Sequence, residues 1–167
     1  MSASWRNARG RVPERAAIRL RVTTDVEPQT TDHHSAMFNG TRVAAAMTTG
    51  VISCEPETPL AEVAEIMAER RVHAVYVFDG DGNELWGLVS DLDLVAAARG
   101  ELEKLTARDA AVTPLVAVAS DDRLDRAAQL LAEHGVSHLA VIDPSTRRPV
   151  GVLSTLDLAQ VIADQSR

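Results

Sequence analysis

At 167 residues with 46% apolar content, the chain is long enough to bury a core in one or two small domains. Its formal net charge of −7 is uneven: residues 1–22 hold six arginines against Glu14, so the rest carries −12, an acidic body that disfavours the cationic contacts nucleic acids and anionic membranes require. Cys54 is the single cysteine, which excludes an intrachain disulfide or paired-cysteine metal motif and points to a reducing, cytoplasmic setting, and no apolar run reaches the roughly 18 residues of a membrane span.

In chain order, residues 1–40 mix arginine, threonine, Pro28 and His33-His34 without helical or strand periodicity. They read as a flexible, solvated extension, with Met37 as an alternative start. Structure is expected from residue 41, as a first domain over 41–99, a charged connector over 100–109 and a second domain over 110–167.

In the first domain, a strand at Val51 to Cys54 leads into a helix that Thr58 can cap with Pro59 at its first position. Leu60, Val63, Ala64 and Met67 then form an apolar stripe at i, i+3, i+4 and i+7. Val72 to Phe78 and Leu85 to Val89 read as two strands of a hairpin joined by the polar turn 79–83, and a helix starts at Ser90. The second domain repeats this order: Asp122 as candidate cap, a stripe of Leu124, Ala127, Ala128 and Leu131, strands at Val136 to Ile142 and Pro149 to Leu153, and a helix from Ser154.

The repetition is in register. Gly87-Leu-Val-Ser90-Asp-Leu-Asp93 recurs as Gly151-Val-Leu-Ser154-Thr-Leu-Asp157, each matched position 64 residues on. Pairs such as Leu60/Leu124, Val72/Val136 and Val77/Val141 keep the same interval, which identifies an internal duplication. Each unit is β-α-β-β-α, and its three-stranded sheet would leave one apolar face uncovered. Two units can cover each other's sheets with pseudo-two-fold symmetry, which predicts an α/β (α+β) fold with two equivalent clefts.

Two readings fit the repeated heptapeptide. Ser90-x-x-Asp93 and Ser154-x-x-Asp157 satisfy a helix capping box, a purely structural role. The same residues suit a ligand: a serine at a helix start beside phosphate, an aspartate accepting from ribose hydroxyls, and apolar strand residues Ile52, Val75, Val116 and Leu139 sandwiching a base. The duplicated units, their Gly-h-h-Ser-x-x-Asp endings, Met47-Thr48 before the first unit and Thr113-Pro114 before the second resemble a tandem pair of cystathionine-β-synthase (CBS) domains, over residues 41–164.

That resemblance implies a regulatory module that binds an adenosine derivative such as AMP, ADP or ATP between the repeats, as a regulatory ligand rather than an obligatory cofactor. It implies Asp93 and Asp157 on ribose, Ser90 and Ser154 toward phosphate, and Thr48 and Thr113 at the entrances to the units. His73 and His138 fall at or beside positions where the family places basic side chains, although they occupy different places in the repeat. The family's middle-strand proline is replaced by Tyr76 and Ala140, and Tyr76 is expected to reshape or fill the base pocket. A homodimer and an unidentified effector protein are the implied partners, nucleic acid is not, and no catalytic or metal-ligating set accompanies the five histidines. The alternative is a ligand-free dimeric scaffold with vestigial clefts.

Overall fold

The computed structural model describes residues 38, 40–79, 85–98, 102–112 and 114–165; the arginine-rich extension before residue 38, most of the 79–83 turn and Thr113 lie outside them. A short helix α1 (Val43–Ala46) and strand β1 (Thr48–Thr49) open the fold. The first repeat follows as β2 (Ser53–Cys54), α2 (Leu60–Arg70), β3 (Ala74–Phe78), β4 (Leu85–Ser90) and α3 (Asp91–Ala97). After α4 (Ala107–Ala110), the second runs β5 (Ala117–Ala119), α5 (Leu124–His134), β6 (His138–Ile142), β7 (Pro149–Ser154) and α6 (Thr155–Gln165).

The stripes expected on α2 and α5 are the faces that pack inward: Leu60, Val63 and Met67 on one helix, Leu124, Ala127, Leu130 and Leu131 on the other. The expected caps are different. Pro59 rather than Thr58 occupies the cap position of α2, and Arg123 rather than Asp122 that of α5, neither with a side-chain cap bond. Asp122 is engaged instead in the preceding turn, where Oδ2 accepts from the Ala119 N–H at 3.0 Å. Both helices end on a left-handed residue at matched places, Gly135 (φ 62°) and Arg71 (φ 54°). Glycine takes that conformation freely, whereas arginine holds it at a cost of about 1–2 kcal/mol.

Two sheets result, β2-β3-β4 and β1-β7-β6-β5. In each, the hairpin strands are antiparallel and the leading strand joins the hairpin in parallel. The duplication extends to irregularities, with register shifts at Val77/Phe78 and at Val141/Ile142. The second sheet gains a fourth strand because β1, which precedes the first repeat, pairs with β7 of the second, Thr48 opposite Val152. The reciprocal contact is a bridge between Val112 and Leu88.

The entry helices are exchanged in the same way. The Val43 N–H of α1 donates to the Asp122 carbonyl, and the Ala107 N–H of α4 donates to the Thr58 carbonyl. Residues of the expected connector pack there too, Leu102, Leu105 and Ala107 lying in the apolar cluster of the first sheet.

Among the described residues, three apolar clusters make up the core. One lies between α2, α3, α4 and the first sheet and contains Leu60, Val63, Val75, Val77 and Val89; its counterpart on the second sheet contains Leu124, Leu139, Val141 and Leu153. The third, with Tyr76, Leu88, Leu115, Ala140 and Ile142, fills the space between the sheets and removes the uncovered faces from water. Across it, the buried Tyr76 hydroxyl donates to the Gly151 carbonyl at 2.6 Å.

Candidate functional site

The end of each second hairpin strand turns directly into a helix, and this turn brings the repeated serine and aspartate together. At the first, the Ser90 N–H and Oγ–H both donate to Asp93 Oδ2, at 2.7 and 2.6 Å, while the Asp93 N–H donates back to Ser90 Oγ at 3.4 Å. At the second, the matching distances for Ser154 and Asp157 are 2.7, 2.7 and 3.2 Å. The capping box is thus formed in both copies.

This bonding leaves a defined remainder. A serine hydroxyl has one proton, which here goes to the aspartate, so in this arrangement Ser90 and Ser154 can only accept from a ligand. Each aspartate uses Oδ2 for capping and keeps Oδ1 as a further acceptor. Capping therefore leaves the other oxygen of each carboxylate open to a ligand.

Two clefts of about 140 and 150 Å3 flank these turns and are related by the 64-residue shift. The first is walled by Ser90, Asp93, Leu88, Val112, Val116, Gly135, Ser137 and His138. The second is walled by Ser154, Asp157, Val152, Thr48, Ile52, Arg71, His73 and His138. Both repeats line each cleft: Val116 from the second meets Asp93 from the first, and Ile52 from the first meets Asp157 from the second. Of the residues singled out in the sequence, Ser90, Asp93, Val116 and His138 gather at the first cleft. Thr48, Ile52, His73, Ser154 and Asp157 gather at the second, with His138 again.

Other expectations are corrected. Val75 and Leu139 are fully buried on the helix-facing sides of the sheets and line neither cleft, so they are not base contacts. Tyr76 fills no pocket either; its ring lies in the core between the sheets, where burial pushes its phenol well above the ordinary value. Arg71 and Gly135 were not singled out by the motif, although the 64-residue register pairs them and both end a helix.

Two histidines line the clefts, His138 both of them and His73 the second. His73 Nδ1 is 3.0 Å from Asp91 Oδ2, and His138 Nδ1 is 2.9 Å from Ser137 Oγ. Burial lowers the His138 pKa, with His73 adding to the effect and Asp91, Asp157 and Asp93 opposing it. Elsewhere, burial drives the half-buried Cys54 thiol up to about 11, which leaves it protonated at neutral pH. Among the described residues no group of three His, Cys, Asp or Glu side chains is arranged to hold a metal ion, and no helix is long and apolar enough to cross a membrane.

Two β-α-β-β-α units joined through their sheets, with a Ser/Asp turn at each of two symmetric clefts, define a tandem-repeat architecture of the α/β class. The CBS domain model matches residues 43–100 and again 107–164, and the chain belongs to the CBS-domain family. The CBS domain-containing protein YhcV of Bacillus subtilis is 29% identical over 119 residues, covering 70% of this chain and 82% of that one. A homoserine O-acetyltransferase of Methanocorpusculum labreanum is 28% identical over 118 residues, but the chain spans only 23% of its length.

Solved structures of similar fold include the CBS domain pair of protein MJ0100 in complex with 5′-methylthioadenosine and S-adenosyl-L-methionine. Its TM-score is 0.66 at 19% identity, over 75% of this chain and 98% of that one. Another is CBSX2 in complex with AMP, with a TM-score of 0.59 at 27% identity over 77% of this chain and all of the other.

Proposed function

We propose that the chain is a ligand-sensing regulatory module that binds an adenosine derivative in its clefts and transmits occupancy to a partner or to the geometry of a dimer. The observation that carries this reading is the free Oδ1 of a capping aspartate at the mouth of an apolar cleft, present twice. Ribose carries two vicinal hydroxyls, both donors, and a carboxylate oxygen with open lone pairs matches them. Ile52 and Val152 in one cleft, and Val116 and Leu88 in the other, supply apolar walls for a flat base. The likeness to CBSX2, solved with AMP, supports the choice of adenosine.

Thermal shift with adenosine, AMP, ADP, ATP and S-adenosylmethionine tests the reading. A ligand that binds only the native state adds about 2.7 kcal/mol at a hundredfold excess over its Kd. A shift that is lost in the double variant Asp93→Ala/Asp157→Ala supports the proposal. No shift with any of the five leaves the ligand-free scaffold as the better account.

A further inference from the structure

The two clefts are superimposable by sequence shift but differ in charge, and the difference is confined to a few places. Arg71 in the second cleft stands where the first has Gly135, His73 where it has Ser137, and Thr48 where it has Val112. Each of these exchanges replaces a group able to bond an anion by one less suited to it; one exchange runs the other way, Ala74 standing where the first cleft has His138, but His138 lines both clefts and so does not set them apart. Arg71 has no carboxylate partner among the described residues, so its guanidinium charge is not already neutralised.

Two further observations favour a role for this arginine. It is held in the left-handed conformation, at φ 54°, at a helix end where the copy has glycine. Strain of that kind persists where a side chain is needed in one place. Moreover, the serine hydroxyls have committed their protons to Asp93 and Asp157, so a phosphate must find its donors elsewhere. Arg71, with five N–H donors, is suited to that, while Gly135 offers nothing.

We infer that the two clefts select ligands of different charge: the cleft of Ser154 and Asp157 takes a 5′-phosphorylated adenosine through Arg71, and the cleft of Ser90 and Asp93 takes an adenosine derivative without a phosphate. In a chain of net charge −7, a phosphate without a local cation meets unfavourable potential, which sharpens the division. This inference rests on the proposed adenosine binding.

Isothermal titration of the full chain with AMP and with adenosine tests it, using the wild type, Asp93→Ala, Asp157→Ala, Arg71→Gly and Gly135→Arg. Asp157→Ala is expected to lose the tighter AMP site, and Asp93→Ala the tighter adenosine site. Arg71→Gly should lower the ratio of AMP to adenosine affinity about tenfold, the low end for a charge-assisted bond. Because glycine suits the left-handed position, the same variant should melt at or above the wild-type temperature, which separates lost binding from lost folding. Gly135→Arg melts lower but raises the AMP preference of the first cleft. An unchanged ratio in Arg71→Gly, or equal preferences in the two aspartate variants, overturns the charge division while leaving adenosine binding intact. Failure of the wild type to bind either ligand overturns the underlying reading and this assignment with it.

Discussion

Thr106 and Asp109 provide an internal control for the Ser–Asp pairs. The Thr106 N–H and Oγ1–H both donate to Asp109 Oδ2 at 2.8 Å, which also lowers the Asp109 pKa, yet this pair starts the four-residue α4 and lines neither cleft. The bonding pattern is therefore a helix-start device, and it is the position at a cleft that makes Ser90/Asp93 and Ser154/Asp157 a candidate site. It follows that Ser154→Ala and Asp157→Ala should each cost about 1 kcal/mol of stability in urea titrations. Nucleotide affinity, measured by calorimetry, should fall much further in the aspartate variant, because the serine has no proton left to give a ligand.

His138 gives the stability a pH dependence. Its native pKa lies below the ordinary 6.5, so between the two values the unfolded chain binds a proton that the native chain does not. Stability should therefore fall as pH drops through 6.5, and the fall should shrink in His138→Asn, compared by denaturant midpoints at pH 7.5 and 5.5.

What could be read in the sequence divides by the kind of signal available. Ser90, Asp93, Ser154 and Asp157 stood out because a repeat interval fixes equivalence without knowledge of the fold. Val75 and Leu139 cannot be placed from sequence because β3 and β6 are apolar on both faces, so alternation does not say which residues turn toward a cleft and which toward the helices. Arg71 belongs to no motif of the sequence; its dihedral and its wall position set it apart.

At the scale of elements, the exchange of entry segments is what ties the halves together, and it had little sequence signal. Helices of four residues, such as α1 and α4, are too short for a periodic pattern to register. Their fastening is nevertheless specific: Arg108 of α4 bonds Glu57 at 2.8 Å and lies 4.0 Å from the centre of the Trp86 ring, which anchors the helix on the opposite half.

The strand exchange has an equally local requirement. A Cβ on Gly151 would overlap the Thr48 carbonyl of β1 and crowd the Met47 sulfur. Gly151→Ala should therefore pry β1 from β7, at a cost of about 1–3 kcal/mol by urea denaturation. Thr48 lines the second cleft, so AMP affinity should fall in the same variant.

For the whole molecule, the decisive surface is the core between the two sheets, because both clefts lie along it and any change in the relative setting of the sheets alters both together. Only its general existence was legible, from the need to cover two apolar sheet faces. Its one-sided polar tie was not: Tyr76 reaches Gly151 across the interface, whereas the matched position on the other sheet is Ala140, which has no hydroxyl to return. Tyr76→Phe keeps the ring and its packing but removes the donor, so the loss should be about 1 kcal/mol, the net value of a typical hydrogen bond. If the tie also fixes how the sheets sit, the variant should change the affinity ratio between singly and doubly occupied protein, since one ligand influences another only through states that both distinguish. Calorimetric titration of Tyr76→Phe with AMP in the presence and absence of saturating adenosine reads that coupling directly. A stability loss with unchanged coupling assigns Tyr76 to packing alone, and a change in coupling makes the interface the route by which one cleft senses the other.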